Sequence, residues 1–377
     1  MEVFCGKIPC VVKTQTSCSY LDVAEKLGED IREGRCAKGC PCPSLTKIMR
    51  RFGVSRVTAV RAVDELKKRG LVASRPGKGT FLTRAGASRK IGLIVPGICY
   101  SEIFPPICKE ISRLTQKEGY ALLFGDLSSN DPSERGQRAK ALASQYVKEG
   151  VAGIIFQPIE FLKDSDAVNR DILSVFDAAN VPVVLLDCDI IASPGRSKYD
   201  IVGINNAEAG RRLAQHIVNQ GAREVLFLAD PHSDYSVQNR IEGARAVVET
   251  EKGRLRERSL DVGNATLVKG ILTRRPRPQA IICRNDHQAA HLLVTLRSLG
   301  KRVPEDLLVA GFNDVDYASI LSPGLTTIHL PCEDIARQAF AFLRERIGNP
   351  GMPTRECYLS APLVVRGSTR QVKENKQ

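Results

Sequence analysis

From Ser19 the apolar positions recur at helical spacing. Leu21, Ala24, Leu27 and Ile31 form one stripe, and Gly34 follows as a stop. Ser44 is a good N-cap for a short second helix with Leu45, Ile48 and Met49 on its inner face. Gly53 suits the turn that follows, and Ser55 can cap a third helix. Val57, Val60, Val63 and Leu66 are expected to be the buried stripe of that helix, which Gly70 ends. "LVASRPGKGTFLT" then reads as two short strands around a Pro-Gly-Lys-Gly turn. Three helices and a hairpin, with a four-residue turn between helices 2 and 3, describe a winged helix-turn-helix.

After "RAGASRK" the texture changes to continuous apolar runs alternating with helical ones. "KIGLIVP", "ALLFGD", "VAGIIFQP" and "VPVVLLD" are such runs, and the alternation resumes at "YDIVGINN" and "AIICRND". Strands apolar on both sides, separated by helices, predict parallel sheets covered on both faces. About ten strands exceed one comfortable doubly wound sheet, so two lobes are expected. The expected layout is a loose extension over 1–18, the winged helix over 19–84 and a linker over 85–90. An α/β domain follows over 91–370, with lobe 1 at about 91–188 plus 325–355 and lobe 2 at about 190–322 plus 358–370. A tail covers 371–377.

Charge sharpens this division. The chain of 377 residues carries +13, and residues 1–90 hold 19 Lys and Arg against 8 Asp and Glu, so eleven of that excess sits in the first quarter. A basic head before a near-neutral body points to a polyanion partner. A merely solvated basic face is the plainer alternative. No apolar run approaches the roughly 20 residues of a membrane helix, and "MEVFCGKIPCVV" does not read as a signal peptide. A cytoplasmic protein without membrane partner is expected. The 12 cysteines are scattered, several within strand-like runs, which favours buried thiols over a disulfide scaffold.

"FGVSRVTAVRAVDELKKRGLVASRPGKGTFLT" resembles the GntR-type winged-helix signature. Its marks are the Gly-Val-Ser-Arg turn, the "ELxxxGL" helix end and the "RxGxGTF" wing. From Lys90 to Arg370 the chain resembles the effector domain of LacI-type repressors, which share the periplasmic sugar-binding fold. The landmarks "IGLIVP", "VGINNAEAGRRLAQHIVNQGAREVLFL", "RIEGARA", "AIICRNDHQAA", "VPEDLLVAGFND" and "SPGLTTIHLP" appear in order. A GntR-type head on a LacI-type body is similar to the arabinose-repressor arrangement. The resemblance implies a homodimeric transcription repressor that binds double-stranded operator DNA and responds to a monosaccharide, with a pentose such as arabinose favoured.

Arg56, at the start of the third helix, can reach a guanine edge with two hydrogen bonds. Ser44, Thr46, Ser55, Thr58 and Arg61 are the other candidates on the helices, and Arg75, Gly77, Lys78 and Gly79 those in the wing. A lone Arg is more often a solvated surface residue; position in the motif lifts Arg56 above that reading and Arg61 hardly at all. Two departures matter: the family usually has Arg where Thr46 stands, and often Arg or Lys where Val60 stands.

For the effector, Arg240 is the strongest candidate by family position, since its fork can hold vicinal hydroxyls. Asn285, Asp286 and Asn313 follow strands, Gln157 and Asp187 end others, and Tyr100, Ser101 and Phe104 follow the first. Helix capping is the plain alternative for Asn285 and Asp286.

Cys36, Cys40 and Cys42 raise a rival reading, a metal- or redox-sensing regulator. Three thiols without a fourth ligand nearby fall short of structural zinc, and Cys36 and Cys42 occupy apolar seats of the family pattern. Cys283, His287 and His291 share four-residue spacing, but that face must pack. No metal and no cofactor are expected. A carbohydrate-acting enzyme is the remaining rival, disfavoured by the basic head and the lack of a catalytic constellation.

Overall fold

The computed structural model describes residues 19–32, 42–69, 71–75, 79–82, 90–95, 102–127, 132–160 and 162–370. The expected extension, Cys36, Cys40, Gly77, Lys78, most of the linker, Tyr100, Ser101 and the tail lie outside them. The chain divides into two compact units, Met1–Ser88 and Arg89–Gln377.

The first unit contains α1 (Tyr20–Arg32), α2 (Leu45–Phe52), α3 (Arg56–Lys68), β1 (Val72–Arg75) and β2 (Gly79–Leu82). The strands pair antiparallel, Val72 opposite Leu82 and Arg75 opposite Gly79. The Ser44 hydroxyl accepts from the Lys47 amide and Ser55 from the Thr58 amide, so both expected caps form. Gly53 closes α2 at φ 65°, where a Cβ would be strained. The core is built from Val23, Ala24, Leu27, Ile48, Ala59, Ala62, Val63, Leu66 and Val72.

This core corrects two expected stripes. Leu21 is exposed, and Val23 takes the seat in α1. On α3, Val57 and Val60 are 65% and 38% exposed, while Ala59 and Ala62 are fully buried. The helix is rotated because small alanines let it approach α1 and α2 closely. Val63 and Leu66 are buried as expected; weighing only the large apolar residues misplaced the first half of the stripe.

In the second unit the chain lays down β3 (Lys90–Val95), α4 (Phe104–Lys117), β4 (Ala121–Asp126), α5 (Pro132–Lys148), β5 (Gly153–Phe156), α6 (Ser165–Ala178), β6 (Val183–Leu186) and β7 (Asp200–Ile204). It crosses to a second lobe for α7 (Asn206–Asn219), β8 (Glu224–Leu228), α8 (Tyr235–Thr250), β9 (Arg254–Arg258) and α9 (Ala265–Thr273). There it continues through β10 (Ala280–Cys283), α10 (Asp286–Ser298), β11 (Leu308–Asn313), a 3-10 turn (Asp316–Ser319) and β12 (Thr326–His329). It returns to the first lobe for α11 (Cys332–Gly348) and β13 (Glu356–Leu359), and ends in the second with β14 (Leu363–Val364).

The lobe sheets have orders β13-β7-β6-β5-β3-β4 and β14-β12-β11-β10-β8-β9. Every pairing in them is parallel except β12 with β14. Two doubly wound lobes were expected; the crossing points differ. β7 lies in the first sheet, not the second; β12 lies in the second, not the first; β13 closes the first. A strand followed by a helix looks the same in sequence whichever sheet it joins. β9 also escaped the pattern, because Arg-Leu-Arg-Glu-Arg carries one apolar residue and suits a charged edge. Among the described residues no helix is long and apolar enough to cross a membrane.

Candidate functional site

Two sites stand out, one on each unit. On the first, Thr46 is exposed one residue into α2, and Arg56, Val57, Val60 and Arg61 are exposed on α3. Ser55 and Thr58 join their hydroxyls at 2.9 Å, which ties Thr58 to the cap and fixes where α3 begins. Ser44 is likewise engaged as the cap of α2. Arg75 ends β1 and Gly79 begins β2. Cys42 is 8% exposed within the core of this unit.

In the second unit the carboxyl ends of both sheets meet across a cleft. Arg240 on α8 is 5% exposed. Its Nε donates to Asn206 Oδ1 at 2.8 Å and its Nη1 to the Arg284 carbonyl at 3.0 Å. The guanidinium lies 4.7 Å from the Phe312 ring centre. Asn206 in turn donates from Nδ2 to Asp187 Oδ1 at 3.1 Å, and Asp187 Oδ2 stands 4.0 Å from Arg240 Nη2. A string Asp187–Asn206–Arg240 therefore runs from the end of β6 in lobe 1 to α8 in lobe 2.

Glycines permit this geometry. A Cβ on Gly210 would collide with the Arg240 carbonyl, and one on Gly243 with the Ala207 carbonyl, so α7 and α8 cross at backbone contact. A Cβ on Gly203 would press on the Asp187 backbone. Asp187 itself adopts φ 63°.

The electrostatics of this wall are acidic. Burial, then the Asp234 carboxylate, holds Glu160 well above the usual carboxylate range, with Arg284 pulling the other way. Burial also raises Asp187, opposed by Arg240. The buried Cys188 thiol is pushed well up by burial and by the same acids, which leaves it a poor thiolate. Such a wall offers carboxyl groups and one guanidinium, polar groups that complement a polyhydroxylated ligand.

A cavity of about 630 Å³ opens where Glu102 and Ile103 of lobe 1 face Asn313, Tyr317 and His329 of lobe 2. Asn313 and Asp314 have φ of 113° and 55°, left-handed backbone that Asn and Asp tolerate better than most residues. Asp314 is held by Arg366 at 2.7 Å and His329 at 3.0 Å. Asp286 is fully buried: Oδ1 accepts from Thr327 at 2.7 Å and Oδ2 from the Val315 amide at 3.1 Å. Burial lifts its carboxyl to about 7 despite those donors.

The expected effector residues thus divide. Asp187 and Arg240 come together through Asn206. Asn313 lines the cavity. Asn285 caps α10, its Oδ1 accepting from the Gln288 amide at 2.9 Å. Asp286 shapes the loop after β11 and is a positioning residue, and Phe104 is 5% exposed within the hydrophobic core. Gln157 is 5% exposed at the end of β5, its backbone N–H donating to the Ile94 carbonyl. Sequence reading passed over Asn206, Glu102, Glu160, Asp234, Tyr317 and His329. The doubled Asn205-Asn206 carried a signal: one Asn caps α7 while the next is left to face the cleft. Another cavity, of about 490 Å³, is lined by Ala222, Gln279 and Leu308 at the opposite ends of the strands and holds none of the expected residues.

No group of three or more His, Cys, Asp or Glu among the described residues has the geometry of a metal site.

Comparison with known proteins matches both units. Residues 19–82 match the bacterial regulatory proteins of the gntR family, and residues 214–369 match the periplasmic binding protein-like domain. The arabinose metabolism transcriptional repressor of Geobacillus stearothermophilus is 24% identical over 96% of this chain and 100% of its own. The ribose operon repressor of Bacillus subtilis is 28% identical over 76% of this chain and 82% of its own. A solved structure of a transcription regulator GntR from Chromobacterium violaceum superposes with TM-score 0.61 at 25% identity, covering 74% of this chain and 99% of that one. The chain is a transcription regulator that joins a helix-turn-helix of the bacterial regulatory proteins of the gntR family, over residues 19–82, to a periplasmic binding protein-like domain, over residues 214–369.

Proposed function

We propose that the chain represses carbohydrate-use genes as a cytoplasmic homodimer and leaves its operator when a monosaccharide fills the interlobe cleft. The Asp187–Asn206–Arg240 string carries this reading, because it joins the two lobes through polar groups suited to sugar hydroxyls. A ligand held between Arg240 and the lobe 1 wall favours one arrangement of the lobes. It shifts DNA affinity only to the extent that it binds that arrangement better than the other. The names of the arabinose and ribose relatives favour a pentose, arabinose first. α3 with Arg56, supported by α2 and the wing, is the DNA-binding face.

A thermal-shift screen against pentoses, hexoses and free purine bases tests the effector. A ligand that binds the folded protein raises its midpoint, and the same ligand must release selected DNA in a mobility-shift assay. A purine that acts in both assays while every sugar fails would replace the monosaccharide reading.

A further inference from the structure

The outward face of α3 carries an observation that Arg56 does not absorb. Arg56, Val57, Val60, Arg61, Lys67 and Lys68 are exposed there, opposite the buried Ala59, Ala62, Val63 and Leu66. Val57 and Val60 are neighbours three residues apart. Each also stands four residues from an arginine, Val57 from Arg61 and Val60 from Arg56, so the valines sit between two cations on one helix face. An apolar pair bare to water and framed by arginines, in a region with an excess of eleven positive charges, is poorly matched to a basic or purely apolar partner. It is well matched to a polyanion that also presents methyl groups. Thymine offers such a group in the major groove, at the level of the acceptors that arginine reads on guanine. The two acids of α3, Asp64 and Glu65, are paired with Lys67 and Arg69 at 3.0 Å each, one to two turns further along.

We propose that Val57 and Val60 read thymine methyl groups in the operator, so that Val60 specifies a base by apolar contact at a position where a polar reader is expected. This rests on the DNA-binding reading above and deepens it. The valine methyls would meet the C5-methyl while Arg56 and Arg61 engage a guanine edge and a phosphate beside it. The two residues then set sequence preference and add little to non-specific attraction.

The test uses the full chain. Duplexes are selected from a random pool, and each thymine of the selected site is replaced in turn by deoxyuridine, which removes only the methyl. Fluorescence anisotropy then compares the wild type with Val57→Ala and Val60→Ala. The expected result is about fourfold weaker wild-type binding at one or two positions per half-site, the cost of one methyl. Each valine variant should lose the thymine–uracil difference at its own position while keeping salt-dependent binding. The proposal is overturned if every single-uracil duplex binds like its parent, if both variants keep the discrimination, or if they lose affinity equally on both duplexes. Selection that enriches no sequence would overturn the DNA-binding reading itself. Sequence-specific binding without uracil sensitivity overturns this proposal alone.

Discussion

The hydroxyl of Tyr317 donates to Glu102 Oε1 at 2.7 Å, joining the loop after β11 in one lobe to the entry of α4 in the other. His287 approaches the same oxygen at 3.2 Å. On the other flank of the cleft, Tyr235 of α8 donates to Asp166 of α6 at 2.8 Å. Two tyrosine–carboxylate bonds therefore bracket the interlobe space.

Removing them should loosen the hold of one lobe on the other while leaving the Asp187–Asn206–Arg240 string intact. Hydrogen bonds to charged groups contribute about 1.5–3 kcal/mol each. Tyr317→Phe and Tyr235→Phe are expected to weaken effector binding by about tenfold each in calorimetry, and to enlarge the effector domain in small-angle scattering. Unchanged affinity in the double variant would remove the latch.

Arg240→Ala should abolish the effector response while leaving operator binding near wild type, measured by mobility shift with and without sugar. Asn206→Ala is the sharper probe. It leaves the buried Arg240 Nε and one Asp187 oxygen without their partner, an expected loss of about 1–3 kcal/mol per group. Chemical denaturation should report that loss, together with weaker sugar binding.

Asp200 predicts a pH response. It is fully buried; Arg346 binds both of its oxygens at 2.7 and 2.8 Å, and the Arg355 amide donates at 2.8 Å. Burial raises the carboxyl, but these donors outweigh it and hold it below its ordinary value. The folded state then binds fewer protons here than the unfolded chain. The stability gained is present above about pH 4 and is lost as pH falls through the lower folded value. Asp200→Asn should cost about 3–5 kcal/mol at pH 7, and the gap between mutant and wild type in thermal melts should close in acid.

Arg56→Ala should cost about 1–3 kcal/mol of discrimination at one base pair. Lys68→Ala should weaken all sequences alike and flatten the salt dependence by about one counterion. Competition assays at two salt concentrations separate the two effects.

Much of this was legible in the sequence, for reasons that differ by element. The inner strands of both lobes are apolar on both faces and announce themselves, whereas the edge strands β9 and β13 do not. Ser44 and Ser55 cap helices because their side chains serve the next turn, a local matter. On α3 Val63 and Leu66 are buried as expected, but Val57 and Val60 are not, because Ala59 and Ala62 bury well without looking hydrophobic. Which sheet β7 joins is decided by pairing with β6 and β13, and β13 lies more than 150 residues away in the chain. The link through Asn206 depends on an approach set by Gly210 and Gly243, which no spacing rule reports.

Those two glycines fix more than a crossing. With α7 and α8 in backbone contact, Asn206 and Arg240 belong to a single rigid piece, so the guanidinium serves as a stationary datum. On the proposed function, differences between one sugar and another would be registered by the opposing wall of strand ends, where Gln157, Glu160 and Asp187 stand. Redirecting the protein to a new effector would accordingly be a matter of rewriting that wall while leaving the helix pair alone.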